Sequence, residues 1–210
     1  MSAGMDRPRW TFEPAHAEAF ARSGSRVFLV GPEPNGDNYP PYQPKDMGHF
    51  FREGLRTRGF GNVKFLRASL LCLEGVLHPL TIPPWPNWWE YLALAEPLLD
   101  HLLFLDLRPI EGGGRLRASG EGMESRVSRY VKDNLEAIVG YWERWRPTHT
   151  VLLGGVARRV FEGLAARELL KRGMNVHRMV WPHPSANGYH EADIAKLQTN
   201  FRPLDRPIQL

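Results

Sequence analysis

Residues 26–36 read Arg-Val-Phe-Leu-Val-Gly-Pro-Glu-Pro-Asn-Gly, a short apolar run that passes directly into a turn rich in glycine and proline. The run from Arg26 to Val30 is typical of a β-strand. The turn then places one carboxylate, that of Glu33, just past the strand's carboxyl end. In open α/β sheets this is the edge at which ligands bind.

A second segment has the same organisation near the other end of the chain. Residues 176–180 predict a buried strand, and residues 181–189 continue as Trp-Pro-His-Pro-Ser-Ala-Asn-Gly-Tyr before a helical pattern begins. Pro182 and Pro184 fix their own φ angles and push the residue before each out of helical space, so His183 has little conformational freedom. We therefore expect an imidazole and a carboxylate to follow the carboxyl ends of two strands.

Two further strands are predicted at residues 102–107 and 150–153, and amphipathic helical patterns separate the strands. Residues 127–145 predict one long helix, whereas residues 63–77 fit either a strand or a helix. Because parallel neighbours need a crossover connection, alternating strands and helices favour parallel βαβ units. The sequence predicts a three-layer α/β/α domain around a sheet of about four parallel strands.

The length of 210 residues fits a single domain over 1–210, with 1–25 and 202–210 as peripheral tails. The lone cysteine, Cys72, excludes an internal disulfide and a cysteine-built metal site, and it favours a reducing compartment. No apolar run approaches the roughly 20 residues that span a bilayer, and no signal peptide is recognisable. These observations predict a monomeric cytoplasmic protein, nucleoid-associated in a prokaryote, with no metal and no cofactor.

The charge balance is basic, with 27 Lys and Arg against 23 Asp and Glu and a net charge of +4. This small excess is only a weak indication of a nucleic-acid partner. Residues 108–123 combine five glycines with Arg108, Arg115 and Arg117. This segment fits an arm whose arginines contact DNA phosphates, and it equally fits a disordered surface loop.

Taken in order, these features resemble the uracil-DNA glycosylase superfamily over roughly residues 26–201. The resemblance rests on the first strand with Gly31-Pro32-Glu33-Pro34, the strand Leu103-Phe104-Leu105-Asp106, the turn Gly154-Gly155-Val156-Ala157, and His183-Pro184-Ser185. Residues 47–52, Met-Gly-His-Phe-Phe-Arg, look like a helix of the mismatch-specific and single-strand-selective branches. The cysteine count excludes the iron–sulfur branches.

The resemblance implies a DNA glycosylase that hydrolyses the N-glycosidic bond of a flipped, deaminated base, uracil or hypoxanthine-like, in base-excision repair. Glu33 stands where relatives place the aspartate or asparagine that positions the attacking water. His183 stands where relatives stabilise negative charge on the departing base. The residues implied to bind the substrate are Gly31, Pro34, Tyr39, Tyr42, Asp106, Ser185 and Asn187, with Tyr39 or Tyr42 stacking on the flipped base.

Asp106 is a departure from the superfamily pattern, in which an asparagine often reads the base edge. An ionised carboxylate only accepts hydrogen bonds and would repel a carbonyl at that edge. Three interpretations follow: a base that presents amino donors, a protonated Asp106, or a site that no longer binds a base. If the site no longer binds a base, the chain is a non-catalytic member of the fold that binds nucleic acid or a nucleotide. Besides the glycosylase and this binding module, a third functional hypothesis is an unrelated enzyme that acts on a small molecule.

Overall fold

Four short apolar segments form one parallel sheet in a computed structural model that describes residues 17–33, 63–77, 96–109 and 122–181. The strands are β1 (Val27–Gly31), β2 (Leu102–Asp106), β3 (His149–Leu153) and β4 (Arg178–Trp181). Their order across the sheet is β2-β1-β3-β4. Helices pack around the sheet, so the predicted three-layer α/β/α fold with four parallel strands is confirmed.

The strand order creates a topological switch point beside β1. The chain moves from β1 to β2 on one side and then returns past β1 to place β3 on the other side. At such a point the connections leave in opposite directions and open a crevice at the carboxyl ends of the strands. β1 therefore lies at the centre of the edge where a ligand site is expected.

The helices occupy the connections between these strands. α1 (Ala17–Arg22) precedes β1, and α2 (Val63–Leu77) with a 3-10 helix (Glu96–His101) precedes β2. The later helices are α3 (Met123–Asp133), α4 (Leu135–Trp145), α5 (Gly154–Val160) and α6 (Ala166–Lys171), with a π-helical turn at Phe161–Ala165 joining the last two. Within the described residues, no helix has both the length and the apolar character needed to cross a bilayer.

Two details of the helices were not fixed by the sequence patterns. Residues 63–77, which fitted either type of element, are helical. The single helix predicted over 127–145 was wrong, because Asn134 separates α3 from α4 with φ −124° and ψ 24°. The Asn134 backbone N–H and side-chain amide both donate to the carbonyl of Tyr130, at 3.0 and 2.9 Å, so two hydrogen bonds close the end of α3.

The larger part of the core lies between the sheet and α3 to α6. Alternate strand residues point to opposite faces, so Phe28 and Val30 face this core while Leu29 lies on the face towards α2. Phe20 of α1 is fully buried and meets Trp145 edge-on at 5.8 Å between ring centroids. Residues 1–25, predicted as a peripheral tail, therefore contribute to the core through their described part.

Among the described residues Trp142 is the largest fully buried side chain, and its ring centroid lies 5.1 Å from that of Phe28 and 5.0 Å from that of Phe161. Its indole Nε1–H donates to the Oγ1 of Thr150 at 3.1 Å. Both residues have no exposed surface, so this hydrogen bond satisfies an indole donor that water cannot reach.

Replacing Thr150 with valine leaves the Trp142 N–H buried without its acceptor. We expect Thr150→Val to lower the free energy of unfolding by about 1–3 kcal/mol, measured by denaturant titration. In a Trp142→Phe background we expect the same substitution to lower the free energy of unfolding much less, because the indole N–H donor is absent. Purely additive costs in this double-mutant cycle would contradict the assigned hydrogen bond.

Candidate functional site

The carboxyl ends of β1 and β2 bring together charged residues that are distant in the sequence. Gly31 is paired with Asp106 in the parallel register. The two segments remain hydrogen-bonded beyond the strands. The Leu107 N–H donates to the Gly31 carbonyl at 2.9 Å, and the Arg108 N–H donates to the Pro32 carbonyl at 3.0 Å. Glu33, two residues after Gly31, therefore lies beside Arg108, two residues after Asp106.

Glu33 accepts hydrogen bonds from two arginines. The Arg108 Nη1 donates to its Oε2 at 2.9 Å, and the Arg126 Nη2 donates to its Oε1 at 2.6 Å. The Glu33 side chain is only 2% exposed, whereas the two arginine side chains are 15% and 17% exposed. Burying a carboxylate this far is strongly unfavourable unless cations and hydrogen bonds replace the lost water. The two arginines supply both, and they hold Glu33 in one position.

Arg126 reaches this site because α3 begins above the sheet edge. Its backbone N–H donates to the Gly122 carbonyl, which places it close to the first turn of α3. That turn is connected to α5 by Glu124, whose Oε2 accepts from the Nε and Nη2 of Arg159 at 2.8 and 2.6 Å. The start of α3 is thus tied to the helix that follows β3.

Gly154 allows β3 to turn directly into α5. Its φ is +89°, a conformation that glycine adopts readily and residues with a Cβ rarely adopt. The positive φ of Gly154 therefore explains why the turn identified in the sequence at Gly154-Gly155 begins with a glycine. It starts α5 immediately at the carboxyl end of β3, beside the switch point.

Asp106 is the second carboxyl group of the site, and it is 5% exposed. It points to the same face as Phe104 and closes over Gly31, where a Cβ would collide with the Asp106 Oδ1. The described residues provide no hydrogen bond to its carboxyl group. Burial, and second the negative charge of Glu33, raise the pKa of Asp106 well above its usual range. Desolvation and a like charge both penalise the ionised form.

The two carboxyl groups are therefore placed in opposite environments. Glu33 lies between two guanidinium groups, and Asp106 lies in a desolvated position beside the Glu33 charge. Such a pair can supply an anion and a neutral acid at the same pH, which is the arrangement that acid–base sites use. Among the described residues, no group of three or more histidine, cysteine or acidic side chains is arranged to hold a metal ion.

Of the residues singled out in the sequence, Gly31, Glu33, Asp106 and Arg108 come together at this edge. β4 ends at Trp181, two residues before His183. The remaining candidates lie outside the described residues: Pro34, Tyr39, Tyr42, Arg115, Arg117, His183, Ser185 and Asn187. Their predicted roles stay predictions.

Arg126 was not identified from the sequence, although one signal pointed to it. A cation close to a helix N-terminus is disfavoured by the helix dipole, so its presence there indicates a nearby anion. The partner, Glu33, is 93 residues away in the chain, and only the fold connects them.

Gly31→Ala tests the close approach of Asp106 to the backbone. We expect a loss of about 1–3 kcal/mol in the free energy of unfolding, because the new methyl group displaces the Asp106 carboxyl. An Asp106→Ala background removes the colliding oxygen and should recover most of the loss. Gly24→Ala is the matched control, since nothing lies within 4 Å of a Cβ added there. Equal losses at both glycines would contradict the assigned contact.

No family model, no curated protein and no solved structure matches this chain. Its function is therefore argued from the chemistry of the site and from the motifs quoted above.

Proposed function

We propose that this chain is a base glycosylase that hydrolyses the N-glycosidic bond of a flipped, deaminated base in DNA. The observation that supports this most directly is the pairing of an immobilised carboxylate, Glu33, with a buried second carboxyl, Asp106, at the ligand-binding edge of the sheet. The resemblance of the motifs to the uracil-DNA glycosylase superfamily supports the same reaction.

The reaction separates charge in a way that suits these groups. When the bond between sugar and base breaks, positive charge develops on the sugar and negative charge on the base. A fixed carboxylate near the sugar stabilises the first, and groups beside the base stabilise the second. In this proposal Glu33 stabilises the positive charge on the sugar, and Asp106 and His183 stabilise the negative charge on the base.

The two ion pairs limit what Glu33 does to the attacking water. A carboxylate offers about four lone-pair sites, and the arginines occupy two of them, so Glu33 retains acceptor capacity for a water molecule. In this proposal Glu33 therefore orients the water and stabilises the developing positive charge.

The wider setting is part of the same proposal. Tyr39 or Tyr42 would stack on the extruded base and offset part of the cost of unstacking it, which is a few kcal/mol. Arg115 and Arg117 would contact phosphates. The substrates would be uracil or hypoxanthine-like bases, and the setting would be base-excision repair in the cytoplasm, at the nucleoid in a prokaryote.

A second candidate function is a non-catalytic module that binds nucleic acid or a nucleotide. The observation that favours it is that both oxygens of Glu33 are already bonded to arginines. The two guanidinium groups at this edge, those of Arg108 and Arg126, are of the type that binds phosphate. This module would bind DNA with an affinity that falls as salt rises, and it would release no base.

The decisive measurement is abasic-site formation in oligonucleotides that carry uracil, hypoxanthine or xanthine, single- and double-stranded. We expect release by the wild type and a rate at least about 100-fold lower for Glu33→Gln, because the charge facing the sugar is lost. Since removing one partner of a buried ion pair destabilises by about 3–5 kcal/mol, the folded fraction of each variant is measured by circular dichroism first.

Glu162→Gln provides a matched control. Glu162 also bridges two arginines, accepting from Arg158 at 3.2 Å and from Arg178 at 2.8 Å, and its side chain is 23% exposed. It lies on the π-helical turn, away from the carboxyl edge. We expect Glu162→Gln to keep the wild-type rate. Equal rates for all three proteins would remove Glu33 from the mechanism, and DNA binding without release from any substrate would favour the binding module.

A further inference from the structure

Asp106 is the second carboxyl group of the site, and the roles assigned to Glu33 do not explain why it is there. Asp106 is the last residue of β2 and is paired with Gly31, the last residue of β1, where the absence of a Cβ leaves space for the Asp106 side chain. It is more than nine-tenths buried, and the described residues donate no hydrogen bond to it. The two arginines of the site donate to Glu33. The arginine contacts therefore account for Glu33 and leave the role of Asp106 to be assigned.

We infer that Asp106 is the neutral acid of this site, donating a hydrogen bond and then its proton to the departing base. This inference rests on the proposed function, because it assigns a role within the same reaction. It also removes the objection raised by the sequence, since a carboxylic acid both donates and accepts hydrogen bonds.

The charges around Asp106 support a neutral acid. Among the described residues, the charged groups whose contacts bring them to this edge are Glu33 after β1, Arg108 after β2 and Arg126 on α3. The charge that acts on Asp106 is that of Glu33, which adds to the effect of burial and raises the pKa of Asp106. The arginines fix the Glu33 anion in place, and that anion keeps the proton on Asp106.

The reaction balances without a further reagent. The bond between the sugar's anomeric carbon and the base nitrogen breaks, and its electron pair moves onto the base. The Asp106 proton passes to an acceptor atom of that base. Water adds its oxygen to the anomeric carbon and releases one proton to solvent, and Asp106 regains a proton from solvent. The products are the free base and a sugar hydroxyl.

The inference defines the kind of base that the site accepts. The base must present a carbonyl oxygen or an unprotonated ring nitrogen, because either atom accepts from the Asp106 hydroxyl. Ionisation of Asp106 would turn the donor into an anion that repels the same atom. Base release should therefore decline as the pH rises through the pKa of Asp106 in the folded protein.

The protonation state is measured directly by NMR of protein with ¹³C-labelled aspartate carboxyl groups, using Asp106→Asn to assign the resonance. We expect the Asp106 carboxyl to remain protonated at neutral pH and to titrate far above its ordinary value. Glu33→Gln should lower that titration midpoint, because it removes one of its two causes, whereas Glu162→Gln should not change it. Titration of Asp106 near the ordinary value of about 3.9 would overturn the proposal.

The pH dependence of stability gives a second measurement with a defined sign. In the unfolded chain Asp106 loses its proton above about pH 4, whereas in the folded protein it keeps that proton to a higher pH. The free energy of unfolding of the wild type therefore falls as the pH rises from about 4 to the pKa of Asp106 in the folded protein. Asp106→Asn has no such proton. The difference in melting temperature between Asp106→Asn and the wild type should therefore grow with pH in that range, and a constant difference would contradict the proposal.

Catalysis is tested by the pH profile of base release under single-turnover conditions. Asparagine retains a hydrogen-bond donor but has no proton to transfer. We expect Asp106→Asn to be at least about 100-fold slower than the wild type and to lack its alkaline decline. Asp106→Ala, which has neither donor nor proton, should be slower still.

The outcomes separate this inference from the proposed function. Release by the wild type with an unchanged rate and pH profile in Asp106→Asn would overturn the role of Asp106 alone. Absence of release from every substrate by the folded wild type would overturn both. Release that depends on Glu33, together with loss of the alkaline decline in Asp106→Asn, would support both.

Discussion

The site depends on one buried anion and the two cations that surround it. Glu33 belongs to the turn after β1, Arg108 to the turn after β2 and Arg126 to the start of α3. These three elements come from separate parts of the chain: the Arg108 pair requires the correct register of β1 and β2, and the Arg126 pair requires the correct position of α3. Because an unpaired buried charge is costly, the arrangement favours one placement of these elements over nearby alternatives.

The same ion pairs determine the charge of the neighbouring residue. Arg108 and Arg126 donate to the two oxygens of Glu33 and hold its carboxylate at the end of β1. Burial, and second the charge of Glu33, raise the pKa of the neighbouring Asp106. The division of roles between two similar side chains is therefore a property of the fold.

The sequence predicted the features that depend on local pattern. The apolar runs of β1 to β4 and the helices between them predicted a parallel sheet, and the strand ends predicted where Glu33 and Asp106 would lie. The break at Asn134 was missed because Val127 to Trp145 keep a continuous apolar stripe, and the interruption lies in the backbone angles of one residue. The pairing of Glu33 with Arg126 was missed because no local pattern joins residues so far apart. It follows from the position of α3, which packs against α5.

The comparison of Asp106 with an asparagine shows why residue identity alone did not decide the chemistry. An asparagine donates and accepts at any pH, and an ionised aspartate only accepts, so the sequence left three interpretations open: a base that presents amino donors, a protonated Asp106, or a site that no longer binds a base. In the folded chain the aspartate is buried and faces a fixed anion, and both effects favour the protonated form. A protonated aspartate regains the donor and adds a proton that an asparagine does not have. In the proposed mechanism Asp106 can therefore act as an acid, because burial and the charge of Glu33 both favour its protonated form.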